Sequence, residues 1–292
     1  MKTIQEHWEV CAKFIARYGD QHLMKVNAEL HPDWSKDAQA LALAEAQFGQ
    51  TWVETGRITY ELSHSLAAMF SLTSCPDIDH LPHHAFAIKV PREFLPLDGA
   101  WPSTDSWIAV GERAAMVAIL AIPDGDTTPL AAVFFPIPET TGKTLDKEHA
   151  STLSEKKPTA VQRRVNILAR RLATNTITYV LTHREQTGCV EAKHVTRDQA
   201  TFIVRPPKDI VIDRAFRDAA KAAVRATDLV GTRRALAHFV RGHWRNQAVG
   251  ANRAERRRTW IHPHRRGDEA LGSVIARTER LLDDSENSHA SR

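Results

Sequence analysis

Cysteine is scarce in this 292-residue chain: there are three, at positions 11, 75 and 189, and none lies in a C-x-x-C pair. That spacing excludes a zinc ribbon and offers no disulfide framework, so a reducing cytoplasm is the expected compartment. Long apolar runs are missing too. The longest, Ala114–Ile122, is far shorter than the ~20 residues that span a bilayer, and the start Met-Lys-Thr-Ile-Gln-Glu-His has no apolar signal core. Net charge is only +4, which excludes a uniform polycation, and 42% hydrophobic with 25% charged residues suits a globular chain of one large or two modest domains. A phosphate loop is absent as well. Gly142-Lys143-Thr144 resembles the end of one, but the position of its first glycine holds Ile137. No cofactor is expected.

What the chain does have is an uneven distribution of charge. Between Arg233 and Gly267 lie ten Arg, no Lys, four His and one acid, Glu255. Arginine's planar fork grips phosphate and stacks on bases. Two strand-like pieces, Phe239–Arg245 and Thr259–His262, flank a turn region containing Gly and Asn. Strand alternation sends Arg241, His243 and Arg245 one way, and His238, Val240, Gly242 and Trp244 the other. Trp260, His262 and His264 share a face in the second piece. Pairing the pieces would gather Arg and His on one polyanion, although the 13 residues from Asn246 to Arg258 are long for a tight hairpin.

The expected nucleic-acid surface is therefore Arg241, His243, Trp244, Arg245, Gln247, Arg253, Arg256, Arg257, Arg258 and Trp260, with RNA as partner and Arg241 and Arg245 as leading contacts. Trp244 reads first as core packing and second as a stacking platform. One alternative is a metal-free ribonuclease in which two of His238, His243, His262 and His264 act as base and acid while an Arg holds the growing phosphate charge. Another is a non-catalytic module whose basic face meets an acidic protein.

His238, Arg241, Gly242, His243, Trp244 and Gly250 spell H-x-x-R-G-H-W-x-x-x-x-x-G, and Trp260 is followed closely by Pro263. This resembles the C-terminal signature of a mobile-element family that includes a type V-A anti-CRISPR protein. A looser likeness is L-P-x-x-x-F-x-I-x-V, here Leu81 to Val90, similar to that family's entry to its central sheet. The resemblance implies a phage- or plasmid-borne regulator. Such a protein would recognise a nascent N-terminal peptide at the ribosome and cause loss of the target's mRNA, making the ribosome and its nascent polypeptide further partners.

The rest of the chain predicts an α+β fold: N-terminal helices on a small, mostly antiparallel sheet, further helices, and a basic C-terminal hairpin-like element. Residues 1–75 read as helical, with apolar stripes Ile4/Trp8/Cys11/Ile15, Leu41/Ala44/Phe48/Trp52 behind a Ser35 cap, and Ile58/Leu62/Leu66/Met69. Residues 76–140 read as three or four strands at Phe86–Val90, Trp107–Val110, Ala115–Ile122 and Leu130–Ile137, the last two joined by a turn at Asp124-Gly125-Asp126. Residues 141–232 combine a polar linker with helices. One follows Val161/Val165/Leu168/Leu172 with Arg163, Arg164, Arg170 and Arg171 on its outer side; another covers Arg214–Thr227 after short strands at Thr201–Val204 and Ile210–Ile212. Residues 233–272 form the basic module, and the polar stretch 278–292 is expected to be disordered. His80-x-x-His83-His84 has near-ligand spacing, but Pro82 excludes a helix and no carboxylate cluster accompanies it, so no metal site is expected.

Overall fold

The computed structural model describes residues 3–78, 80–92, 94, 105–113, 116–123, 131–136, 160–184, 188–207, 236–240, 242–266 and 268–273. The Asp124–Asp126 turn, the 141–158 connection, Ile210–Ile212, Arg214–Thr227 and the 278–292 stretch lie outside them.

Three helices come first. Helix α1, Ile4–Tyr18, starts at a capping box in which the Glu6 amide donates to Thr3 Oγ1 (3.2 Å) and the Thr3 amide donates to Glu6 Oε2 (2.8 Å). Helix α2 is Asp20–Leu30. Helix α3, Lys36–Glu54, is capped by Ser35, whose Oγ accepts from the Ala38 amide at 3.2 Å. Glycine at 49 lets α1 and α3 close on each other, since a Cβ there would lie 2.9 Å from the Trp8 carbonyl oxygen.

The expected third helix is instead a strand and a short helix: β1, Ile58–Leu62, then α4, His64–Ser71. Ile58 and Leu62 are four apart, a spacing that one helical face and one strand face share. The β-branched and aromatic run Ile58-Thr59-Tyr60 decides for the strand, and Ser63 then caps α4 by accepting from the Leu66 amide.

Strand β1 sits inside a seven-stranded sheet of order β5-β4-β3-β2-β1-β7-β6. Strands β2 (Ala85–Val90), β3 (Ser106–Arg113), β4 (Met116–Pro123) and β5 (Ala131–Pro136) run antiparallel in succession, as the sequence predicts. Beyond them β1 pairs in parallel with both β2 and β7 (Ala200–Val204), and β6 (Val190–Val195) closes the edge antiparallel to β7. The sheet is larger than its local signals because β1 joins it from a segment read as helical.

Both faces of this sheet are covered, which is why β3 and β4 read as almost continuous apolar runs. On one face Ala85, Ala87, Trp107, Ala109, Leu120 and Ile122 meet Ile4, Trp8, Phe48 and Trp52 of α1 and α3. The Trp8 ring packs edge-on against Phe48, Trp52 and Trp107, and its Nε1 donates to the buried Glu45 carboxylate at 3.0 Å. On the other face Phe86, Ile88, Val90, Ile108, Val110 and Ile119 meet α4 and the long helix α5, Ala160–His183. Arg170 and Arg171 do not form a solvated outer face here. Both are half-buried, and Arg171 Nη1 donates to the Ser71 carbonyl of α4 at 3.1 Å. Arg163 and Arg164 side chains fall outside the described residues. Among the described residues no helix is long and apolar enough to cross a membrane.

Candidate nucleic-acid interface

The basic stretch builds two elements. Strand β8, Leu236–Val240, pairs antiparallel with β11, His264–Arg266, and in parallel with β12, Asp268–Ser273. The second element is an antiparallel hairpin of β9, His243–Val249, and β10, Glu255–Ile261. The 13-residue gap inferred from sequence shrinks because Asn246–Val249 and Glu255–Arg258 pair with each other. The remaining turn starts at Gly250, whose φ of 80° favours glycine, and passes through Asn252 and Arg253 at φ 57° and 55°.

One face of this hairpin is pinned to the body. Trp244 and Trp260 stand opposite each other across the ladder, their rings nearly parallel at 6.0 Å. Trp260 is 9% exposed and packs edge-on against Phe70 of α4 and Tyr179 of α5. Trp244 Nε1 donates to Asn175 Oδ1 at 2.8 Å. Asn175 is fully buried on α5, and its Nδ2 donates to Arg171 O (2.8 Å) and Ser74 O (3.3 Å). One amide thus joins β9, α5 and the segment leaving α4.

Gly242 completes the anchor. Its amide donates to Leu72 O (3.2 Å) and its carbonyl accepts from the Ser74 amide (2.9 Å), forming a parallel bridge to Thr73. A Cβ at Gly242 would sit 2.5 Å from Thr73 Oγ1 and 2.7 Å from the buried ring of Pro263. The Gly, Trp and Pro positions of the signature therefore hold the hairpin in place.

The other face carries charge. Direct pairs share a face in an antiparallel ladder, so His243, Arg245 and Gln247 lie with Thr259 and Arg257. Arg245, Arg253, Arg256 and Arg257 are exposed, and none is ion-paired with a described carboxylate. Arg245 Nη2 donates to Gln247 Oε1 at 3.3 Å, which lines the two up along β9. Arg256 and Arg258 fall on the tryptophan side, beyond the part that packs on the core. Arg258 is half-buried and its Nη1 donates to the Asp77 carbonyl at 3.2 Å. The hairpin thus gathers Arg245, Gln247, Arg257 and His243, whereas Trp244 and Trp260 face the core.

Arg241 lies outside the described residues. His238 falls on β8 opposite Arg266, with its side chain outside them. Of the other imidazoles, His262 and His264 come together with ring centres 6.2 Å apart. Each Nδ1 faces a backbone carbonyl, Pro263 O at 3.2 Å and His262 O at 3.1 Å. A carbonyl only accepts, so both rings carry their proton on Nδ1 when neutral. His243 is exposed opposite Ile261 on the hairpin's charged face.

Sequence reasoning missed Asn175, Thr73, Tyr179 and His183. His183 stacks on Tyr179 at 4.2 Å and meets Trp244 edge-on at 6.1 Å. Burial holds its pKa below the usual histidine value, a hydrogen bond to the Tyr179 carbonyl works the other way, and the Arg257 charge lowers it further. The signal that was available is Thr174-Asn175-Thr176, a polar run on the apolar face of a helix.

The class defined is a three-layer α+β protein that presents an arginine-rich hairpin docked on its long helix. The family model for AcrVA2-like proteins, described as the anti-CRISPR type V subtype A2 family, matches residues 60–264, a span that runs from β1 to β11. The chain belongs to this family. A crystal structure of AcrVA2 is similar at 13% identity with a TM-score of 0.39, covering 89% of this chain and 93% of that one. None of the curated proteins matches it.

Proposed function

We propose that this protein is an anti-CRISPR-like regulator that engages RNA at the translating ribosome through the exposed arginines of its hairpin. In this reading it lowers expression of a target whose nascent peptide it recognises. The observation that supports the RNA contact is the set Arg245 and Arg257 on the charged face, Arg253 at the turn and Arg256 on the tryptophan side beyond the core contact, all exposed and none ion-paired with a described carboxylate, on a hairpin pinned at Gly242, Trp244 and Trp260. A pinned hairpin loses little freedom on binding, so its charges act at low entropic cost. Family membership supports the anti-CRISPR-like setting.

Four guanidiniums on a single strand give a log K against log[salt] slope of about −2.8, at about −0.7 per phosphate, so affinity falls about 50-fold between 50 and 200 mM salt. Changing Arg245 and Arg257 together to Ala removes about half of that slope. An unchanged slope removes these residues from the interface. Sequencing of RNA and ribosome footprints in cells making either form then tests the regulation, because a target message must fall with the native chain and recover with the double variant. The same purified protein, incubated with RNA and EDTA, tests cleavage by the histidines: intact RNA excludes the ribonuclease.

A further inference from the structure

Where the tryptophan side of the hairpin meets the body it leaves a small cavity of about 100 Å³. The walls come from β10, from the last turns of α5 and from the irregular chain that leads from α4 to β2. Ile78 and Ile177 form an apolar side, and Arg258, His80, Thr178 and Thr182 a polar one. Arg258 is half-buried, and its Nη1 donates to Asp77 O at 3.2 Å. Among the described residues no carboxylate lines the space.

One hydroxyl in this wall departs from the habit of its helix. A threonine inside a helix often turns its hydroxyl back on the carbonyl four residues earlier. Thr174 donates in this way to Arg170 O at 2.8 Å, Thr176 to Leu172 O at 2.6 Å, and Thr182 to Thr178 O. Thr178 is only 2% exposed, yet its own hydroxyl has no hydrogen bond among the described residues. A buried hydroxyl without a partner is costly, and this one borders the cavity, where a bound group would complete it. A guanidinium only donates, and a hydroxyl and an imidazole can both donate. Such a donor set, with no carboxylate beside it, selects an oxyanion. The volume is roughly three times the ~30 Å³ share of one liquid water and well under the ~300 Å³ at which small-molecule pockets begin. It holds a phosphate group and excludes a base.

We propose that this cavity binds one phosphate of the RNA strand held by the hairpin, with Arg258 supplying the charge and Thr178 and His80 supplying hydrogen bonds. The proposal rests on RNA binding by the hairpin. The path between the two is short. Arg256 lies on the same side of β10 as Arg258 and two residues nearer the turn, about 7 Å along the strand at about 3.4 Å per residue. An RNA chain that follows the exposed arginines therefore reaches the cavity before it meets the packed tryptophans. Salt screens the exposed arginines, and it screens a half-buried group less. The enclosed phosphate is thus the one held by directed bonds as well as by charge.

Fluorescence anisotropy of a labelled oligouridylate of roughly 12 nucleotides, titrated with the full chain, reads the cavity apart from the hairpin. Thr178→Val keeps the side-chain shape and removes only the hydroxyl. It should leave the urea midpoint unchanged or raised, and weaken RNA binding about fivefold at an unchanged salt slope, the worth of one hydrogen bond. Arg258→Gln should reduce the slope by about 0.7, one phosphate. The oligouridylate should also shield the exposed His80 from diethyl pyrocarbonate. If Thr178→Val binds as the native chain does and His80 stays reactive in the complex, the cavity is overturned; the hairpin still stands where Arg245→Ala with Arg257→Ala lowers the slope. Absence of RNA binding by the native chain overturns both. Shielding of His80 by inorganic phosphate, or by a peptide with a free carboxylate, but not by the oligouridylate assigns the cavity to another oxyanion and overturns the proposal.

Discussion

Replacing Gly242 with alanine tests the anchor at its tightest point. The added Cβ would meet Thr73 Oγ1 at 2.5 Å and the Pro263 ring at 2.7 and 2.8 Å, inside any ordinary contact distance. Neither neighbour yields easily. Thr73 is fully buried with its hydroxyl donating to Met69 O at 2.8 Å, and Pro263 is a buried ring. The chain must instead open the Gly242–Leu72 and Ser74–Gly242 backbone bonds of 3.2 and 2.9 Å. Overpacking of this kind costs about 1–3 kcal/mol, and the lower unfolded-state entropy of alanine returns about 0.4–1 kcal/mol. The net loss is about 1–2 kcal/mol, or about 2–4 °C in the thermal midpoint of a chain this size. Urea unfolding followed by circular dichroism measures it. Thr73→Ala removes the shorter contact at a cost of about 1 kcal/mol for its lost bond, so the double variant should be more stable than the sum of the singles by about 0.5–1 kcal/mol. A native-like Gly242→Ala, or strict additivity in the cycle, refutes the close approach as the reason for glycine.

Trp244→Phe strands the buried Asn175 Oδ1 and should cost about 1–3 kcal/mol. Trp260→Phe should cost less, although Trp260 is the more buried ring, because its Nε1 is enclosed without a hydrogen-bond partner among the described residues; urea melts of the two variants decide the order. Burial holds His183 and His83 below the ordinary histidine pKa, so the unfolded chain takes up protons that the folded chain refuses. Stability should therefore be level above pH ~6.5 and fall as pH drops below it, and His183→Phe should flatten that fall in melts run between pH 7 and pH 5. Burial, with a smaller contribution from Glu45, pushes the Cys11 thiol up to about 12. Alkylation at pH 8 should label Cys11 in urea far faster than in the folded protein, and equal rates would show that the site is open.

The elements most legible from sequence were those whose pattern has one interpretation. The Trp8 and Trp52 stripes are helical because their spacing fits no strand face, and the Phe86–Val90 alternation fits no helix. Ile58 to Leu62 was illegible because a four-residue spacing serves both periods, and only its two parallel neighbours, β2 and β7, separated in sequence by more than a hundred residues, make it a central strand. The basic hairpin could be read from alternation and the pair of tryptophans, but its length could not. Cross-strand pairing of Asn246–Val249 with Glu255–Arg258 involves residues with no apolar pattern to announce it. Asn175 was invisible for a similar reason, since its role depends on partners from three places in the chain.

These contacts divide the signature by physical role. Trp244 and Trp260 pack inward on the core, Gly242 bonds through its backbone to the segment leaving α4, and the buried Pro263 ring closes on Gly242, so these positions answer to the core. Arg245, Arg253, Arg256 and Arg257 are exposed and none is ion-paired with a described carboxylate. A charged group held on such a support keeps its place without a counter-ion of its own, which is the condition for binding a flexible polyanion at small entropic cost. It follows that the two sets should separate experimentally. Loss of an inward residue must lower stability first and binding as a consequence, whereas loss of an outward arginine must lower the salt slope at unchanged stability. An arginine whose removal destabilised the fold would belong to the support, and the surface assigned to RNA would shrink by that residue.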